Sequence, residues 1–474
     1  MSTAPLVDAA ALRAAGRAPA MPCRVALDDG RAVELLRTLR VLPGKRVVAE
    51  GRLDGQPVLA KLFIADGAER HLRRERDGIA ALVAAGIATP ELLAEATLDG
   101  NARILLTRFL GSAENLGDLW SAAPRPPGDG AALALLTPAV EIVGRMHAAG
   151  LAQSDLHLGN FLRDGERLLV IDGDAVERHT TPLPVTQAGA NLAILFAQLP
   201  ASWDAHLAPL LTAYRSVSGI APDAAGLAAE IRRVRDWRLD DLLKKSVRDC
   251  SLFAVRQSLT RFTSAVRAEA ETVEPVLADP DAAIAGGTLL KDGNSSTVAR
   301  IDVAGRSIVI KRYNLKSAGH ALSRLWRPSR AWNAWQVAIR LRFLGIATPA
   351  PLALIEERWG PLRRRAWLVT EYRSGQHLRA LLSADAAPPP AIARALSDTF
   401  AALHQARISH GDLKASNLLW DGQQLLLLDL DATTAHRDQS SFARAWQRDR
   451  ARLLRNWPAA SPLTRWLDQH LPSA

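Results

Sequence analysis

His410-Gly411-Asp412-Leu413-Lys414-Ala415-Ser416-Asn417, followed by the apolar run Leu425 to Leu428 and then Asp429-Leu430-Asp431, decides how the rest of the chain is read. An aspartate, an asparagine five residues on and a second aspartate closing an apolar run form the set that phosphoryl transfer needs. Asp412 can orient an attacking hydroxyl and accept its proton, and Asn417 and Asp429 can hold Mg²⁺ against nucleotide phosphates. Asp421-Gly422 between them is a hairpin turn signal flanked by apolar residues. The run after it is therefore expected as a buried strand that ends at Asp429.

The same constellation occurs earlier. Gln153-Ser154-Asp155-Leu156-His157-Leu158-Gly159-Asn160 is followed by the turn Asp164-Gly165, the run Leu168 to Ile171 and Asp172-Gly173-Asp174. Asp412, Asn417 and Asp429 each lie 257 positions after Asp155, Asn160 and Asp172. Gly-Ile-Ala-Thr-Pro at Gly86–Pro90 recurs at Gly345–Pro349, and Val58-Leu59-Ala60-Lys61 resembles Ile308-Val309-Ile310-Lys311. Matches in register at several places imply an internal duplication. The order and spacing of the polar residues are those of the kinase catalytic loop and the metal-binding aspartate after it.

The bulk properties fit. A chain of 474 residues with 48% hydrophobic composition has room for two or three domains, each with its own core. Cys23 and Cys250 are the only cysteines and lack metal-ligand spacing, so both read as ordinary thiols of a reducing compartment. The first twenty residues lack a basic start followed by a long apolar segment, so they do not read as a secretory signal; they are Ala-rich and expected to be loosely attached. No apolar run approaches the roughly 18 residues of a spanning helix. These features predict a cytoplasmic protein. The net charge of +10 favours anionic partners: ATP, an acidic glycolipid or a membrane surface. A nucleic-acid partner would rest on charge alone, since no reader motif is present.

In chain order, paired strands are expected around Arg46–Glu50 and Pro57–Phe63, with Lys61 on the second as a phosphate-gripping lysine. A helix over about 69–85 would bring Glu75 to Lys61 as its orienting carboxylate; the plain alternative is a solvated glutamate among Arg73, Arg74 and Arg76. Helices are expected over about 132–149, 191–199 and 223–245, with His147 and His404 as structural histidines before the two loops. The boundary between the halves is placed near residue 245. Ser251–Arg267 reads as the first hairpin of the second half, and Pro275–Asp281 as a linker. Leu289–Arg300 reads as strand, loop and strand, with Gly293 and the hydroxyl residues able to let backbone N–H groups approach phosphates. Alignment on Gly86 and Gly345 puts Ala334 where Glu75 stands, so the second half lacks the helix carboxylate for Lys311. His320–Phe343, with five arginines and three tryptophans, suits either an anionic lipid interface or a packed helix with a basic face.

On these motifs the chain resembles two copies of the bacterial lipopolysaccharide core kinase family, which phosphorylates inner-core heptose or Kdo and has a protein-kinase-like fold. Asp155-Leu156-His157-x-Gly159-Asn160 is also similar to aminoglycoside and choline kinases. The resemblance implies an α+β fold of two tandem protein-kinase-like domains, residues 1–245 and 246–474. Each would have a mainly β small lobe and a helical large lobe, with ATP and Mg²⁺ in the cleft. In the second half it implies Asp412 as base, Asn417 and Asp429 as metal ligands, Lys311 on the α/β-phosphates and Lys414 on the γ-phosphate. In the first half the roles pass to Asp155, Asn160, Asp172, Lys61 and His157, with Glu75 orienting Lys61. Asp431 and Asp174 stay open between a second metal contact and a loop cap. Gln153-Ser154 replaces His-Gly, which makes the first loop the less firmly held.

Too little chain follows Asp429 for a peptide-docking subdomain, and neither Asp429-Leu430-Asp431 nor Asp172-Gly173-Asp174 ends in the glycine of a regulatory hinge. Both points favour a sugar or glycolipid acceptor. The charge of +10 and the Arg/Trp stretch His320–Phe343 suggest a cytoplasmic enzyme with peripheral, salt-sensitive attachment to the inner face of the cytoplasmic membrane. The competing readings are a kinase of another specificity and a silent scaffold in envelope biosynthesis.

Overall fold

The computed structural model describes residues 4–122, 127–314, 328–360 and 362–473. The chain divides into two compact units, Met1–Arg235 and Asp236–Ala474, with the division falling inside the helix Ala224–Lys245. Both units mix an antiparallel sheet with a helical portion.

The first unit opens on six strands in the spatial order Cys23–Ala26, Ala32–Leu42, Arg46–Leu53, Gln56–Phe63, Arg103–Arg108 and Leu92–Thr97. Along Arg46–Leu53 the buried residues are Val47, Ala49, Gly51 and Leu53, the period-two pattern of a sheet with one face on a core. Lys61 lies on an interior strand, between Val48 and Leu105 of its two neighbours. The helix Ala68–Ala84 follows that strand and buries Leu72, Glu75, Ile79 and Leu82, one face at helical spacing. The helical portion is built from Gly130–Ala148, Val185–Phe196, Ala208–Ser218 and the start of Ala224–Lys245, around Val143, Phe161, Phe196 and Trp203. The amino terminus is not loosely attached, as composition had implied. Asp8 caps a short helix, Ala9–Ala14, whose Ala9 and Leu12 enter the sheet core, and the Ala9 N–H donates to Asp99 Oδ1 at 3.0 Å.

The second unit has seven antiparallel strands in the order Phe253–Gln257, Arg261–Val266, Pro351–Trp359, Leu362–Glu371, Arg306–Tyr313, Ser296–Val303 and Thr288–Gly293. The hairpin Phe253–Val266 is the first of this sheet, as its alternation implied. It forms the edge opposite Thr288–Gly293, with Arg261 registered on Glu357. The strand, loop and strand read over Leu289–Arg300 are the hairpin Thr288–Val303. The segment read as a linker is helical, Ala270–Ala278 and Pro280–Ala285, with Val273, Val276 and Ile284 closing the outer sheet face.

The helix Arg330–Phe343 crosses the inner face. Its Trp335 is fully buried edge-on to Phe253, and Trp332 packs on Phe262 at 5.3 Å. The described part of the Arg/Trp stretch is therefore a core helix and presents no tryptophan face to lipid; His320–Arg327 lie outside the described residues. Helices Pro390–Gln405 and Gln439–Leu454 complete the core through Leu396, Phe400, Phe442 and Trp446.

Both histidines before the loops are structural. His147 is buried between the Tyr214 hydroxyl (2.9 Å) and Asn191 Oδ1 (3.0 Å), and burial pushes its pKa down to about 4. His404 packs against the rings of Phe442 and Trp446. Both cysteines are free. Among the described residues no helix is long and apolar enough to cross a membrane.

Candidate active site

In the second unit the loop 408–417 is pinned from two sides. The His410 Nε2–H donates to the Leu428 carbonyl at 2.8 Å, which leaves Nδ1 to accept the Asp412 N–H at 3.3 Å. From the helix Gln439–Leu454 the buried Asp449 carboxylate accepts the N–H groups of His410 and Gly411, the latter at 2.9 Å. A charged acceptor on two backbone donors is the stronger kind of hydrogen bond. Sequence reasoning missed Asp449 because it lies 37 positions beyond Asp412 on a helix with no motif of its own.

Asn417 Nδ2 donates to the Asp412 carbonyl at 2.9 Å, closing the loop on itself. Asp412 is held by Lys414 Nζ at 2.9 Å on Oδ2 and by Arg452 on Oδ1. Partial burial works against its charge, but these two cations outweigh it and hold the carboxyl below the usual range.

Asp429 leaves the strand Leu425–Leu427 with φ 59°, a left-handed conformation that aspartate tolerates better than most residues. Its carboxylate meets Lys311 from the sheet. Burial again opposes the charge, and Lys311 overcomes it. Lys311, Asn417 and Asp429 line one cavity of about 540 Å³, together with Lys291, Ala334 and Tyr372.

The position of the absent helix carboxylate is filled from the loop. Asp431, with only 10% of its side chain exposed, accepts from Lys311 Nζ (2.9 Å), Arg330 Nη2 (2.6 Å) and the Tyr313 hydroxyl (2.7 Å). Burial and the Asp431 charge push the Tyr313 phenol far up, so it stays a donor. Asp431 thus partners Lys311, an option the sequence reading did not contain.

The first unit reaches a similar geometry by other residues. Lys61 Nζ lies 2.5 Å from Glu75 Oε1 and 3.2 Å from Asp172 Oδ1, so Glu75 is buried and paired rather than solvated. Glu75 also accepts the N–H groups of Gly173 (3.1 Å) and Asp174 (3.3 Å). This needs backbone-to-backbone approach: a Cβ on Gly78 would sit 2.0 Å from the Gly173 carbonyl oxygen, and one on Gly173 would sit 2.4 Å from that of Glu75. Leu430 takes the place of Gly173 in the second unit, and a side chain there is incompatible with that approach. Asp172 has φ 70°, and Lys61 more than offsets the burial that opposes its charge.

Gln153 does not leave the first loop loose, as its replacement of histidine had implied. Its Nε2 donates to the carbonyls of Ile171 (3.0 Å) and Asp172 (3.2 Å), the former 257 positions before His410's own acceptor. Asn160 Nδ2 closes that loop on the Asp155 carbonyl at 2.8 Å. Asp155 is more open, its carboxylate 66% exposed with His157 Nε2 at 3.7 Å.

In each unit the groups available to a metal are oxygens of one asparagine and one aspartate. Among the described residues no group of three or more His, Cys, Asp or Glu could hold a metal ion. Few hard oxygen donors fit Mg²⁺, which keeps waters and takes substrate phosphates as its other ligands.

A lysine on an interior strand, an aspartate ending a buried strand and the asparagine of an Asp…Asn loop, lining one cavity with the loop aspartate hydrogen-bonded to that asparagine, define a phosphotransferase of the kinase class. Residues 287–468, within the second unit, match the family model described as the Lipopolysaccharide kinase (Kdo/WaaP) family. By that match the chain is an ATP-dependent kinase with a sugar hydroxyl as acceptor. No curated protein matches the chain. Among solved structures it is similar to one titled "WaaP in complex with acyl carrier protein", with 22% identity over 42% of this chain and 88% of that one and a TM-score of 0.33. It is also similar to "Structure of vaccinia related kinase 3", with 12% identity over 48% of this chain and 78% of that one and a TM-score of 0.28.

Proposed function

We propose that the protein phosphorylates a heptose or Kdo hydroxyl of the lipopolysaccharide inner core, and that its two units are tandem kinase-like domains in which the second carries the main transfer step. The observation that supports this most is that Asp412, Asn417, Asp429 and Lys311 converge within the segment matching the lipopolysaccharide kinase model.

In this reading Lys311, set by Asp431, grips the α- and β-phosphates of ATP. Asn417 and Asp429 hold Mg²⁺, which supplies charge neutralisation at the phosphates when bound. Asp412 orients the sugar hydroxyl and takes its proton, while Lys414 turns from Asp412 to the γ-phosphate. Positioning and electrostatics of this kind supply most of the catalysis in phosphoryl transfer. In the first unit Lys61, Glu75, Asn160 and Asp172 form the corresponding nucleotide site, with Asp155 and His157 at its mouth. A silent scaffold would have no reason to keep both sets.

Loss of a general base costs about 10²- to 10⁴-fold. Asp412→Ala is expected to lower turnover on purified core acceptor by that order while the protein stays folded. Unchanged turnover in a folded protein carrying both Asp412→Ala and Asp155→Ala would remove the enzymatic reading. If Asp155→Asn removes nearly all activity and Asp412→Asn little, the division of labour is reversed. Peripheral attachment to an anionic inner-membrane face is part of the proposal and rests on the charge of +10.

A further inference from the structure

We propose that Arg452 recognises an acidic group, a carboxylate or phosphate, on the sugar acceptor of the second unit; the inference rests on the function proposed above. Both oxygens of Asp412 already accept hydrogen bonds: Oδ2 from Lys414 at 2.9 Å and Asn417 Nδ2 at 3.4 Å, and Oδ1 from Arg452. A base must turn a free lone pair to the hydroxyl it deprotonates. An ionised carboxylate has about four lone-pair sites; these three donors leave one, on Oδ1, so a hydroxyl that Asp412 takes there arrives beside the Arg452 guanidinium.

Lys414 has its next partner in the same step, the γ-phosphate. Arg452 has none among the groups that handle ATP, because it arrives on the last turn of the helix Gln439–Leu454 rather than from the sheet or the metal loop. Its fork has N–H groups beyond the one on Asp412, and a guanidinium takes a planar anion most readily through two parallel N–H bonds.

Three further features fit this role. Arg452 meets Asp412 through Nη1, and its side chain is 41% exposed, so part of the fork faces open solvent. Its helix is fixed to the catalytic loop by Asp449, one turn earlier, so the guanidinium is held at a set distance from the reacting hydroxyl. In the first unit, among the described residues, no arginine is paired with Asp155, whose ion-pair neighbour is His157. The arginine is thus a property of the unit assigned the transfer step.

The test is steady-state kinetics of the full-length protein and its Arg452→Ala and Arg452→Lys variants on core oligosaccharide acceptors in three forms: native, with carboxylates converted to methyl esters, and with phosphates removed. Wild type is expected to show a KM at least tenfold lower for the native acceptor than for one of the masked forms, and the form that loses affinity identifies the anion. In Arg452→Ala that ratio is expected to collapse towards one while the KM for ATP moves less than threefold, and Arg452→Lys should recover part of it. Equal loss on native and masked acceptors would make Arg452 a static brace of Asp412 and overturn the inference. Wild type that uses native and masked acceptors equally well would also overturn it, leaving the proposed function intact. Wild type that binds ATP but neither binds nor phosphorylates any of the three forms would overturn both.

Discussion

Replacing Asp431 by asparagine keeps the shape of the side chain and removes the charge on which Lys311, Arg330 and the Tyr313 hydroxyl converge at 2.9, 2.6 and 2.7 Å. An asparagine offers one acceptor oxygen, and its NH₂ group would face a donor. Lys311 would then keep only Asp429, the carboxylate assigned to the metal, and would lose its own positioning partner. A misplacement of about 1 Å at a reacting centre costs on the order of 10²-fold, which is about 2.7 kcal/mol of barrier. Breaking a largely buried ion pair from one side costs about 3–5 kcal/mol of stability, so folding must be measured alongside activity. The assay is kcat/KM for ATP on core acceptor, with nucleotide affinity by calorimetric titration and the unfolding midpoint in urea. We expect a fall of about 10²-fold in kcat/KM in protein that remains folded at 25 °C, with weaker nucleotide binding. A folded Asp431→Asn protein within threefold of wild type in both affinity and kcat/KM would refute the assignment of Asp431 as the partner of Lys311.

His147 makes the first unit sensitive to acid. Its pKa is lowered to about 4 from 6.5, so the unfolded chain binds the proton first; its stabilising contribution is full above pH 6.5 and is lost as pH falls towards 4, reaching about 2 kcal/mol by pH 5. Urea unfolding of wild type and His147→Gln at pH 7 and pH 5 should show a steeper loss in wild type, and parallel losses would count against it. Gly173→Ala should push the metal loop off the helix Ala68–Ala84, because its Cβ would lie 2.4 Å from the Glu75 carbonyl oxygen. The expected cost is about 1–3 kcal/mol together with weaker nucleotide binding by the first unit, and an unaltered affinity there would show that the close approach is dispensable. Flotation with anionic liposomes should show binding at low salt that high salt removes, since each basic residue near the surface contributes about 1 kcal/mol and is screened; no binding at low salt would refute membrane attachment.

Proximity along the chain was legible from the residues themselves. The spacing of Asp412 to Asn417, closed by a hydrogen bond of 2.9 Å, and the apolar run delivering Asp429 are local features, so a motif and a turn signal suffice to read them. The pairing of Lys61 with Glu75 was readable for a similar reason, because strand and helix are consecutive and the helix face has a clear period. Composition misjudged the amino terminus, since Ala-rich sequence says nothing about a cap and two small apolar residues meeting a sheet. Alternation found the hairpin Phe253–Val266 but not its edge of the sheet, which depends on register with Pro351–Trp359, about a hundred residues away. Interleaved arginine and tryptophan looked the same on the page whether the rings face lipid or core, and packing on Phe253 and Phe262 decided it.

The functional contacts that only the tertiary structure decided are those between charges far apart in sequence. Asp449 on the loop backbone, Arg452 on Asp412, and Asp431 gathering Lys311, Arg330 and Tyr313 follow no local rule. A carboxylate goes to whichever cation the packed elements bring within about 3 Å. Which one that is depends on how closely helix and loop approach, as the Gly173 site shows, where a Cβ would lie 2.4 Å from the Glu75 carbonyl oxygen. The sequence by itself determined that two such loops exist and what chemistry their residues can perform; the folded chain decided which charge holds which.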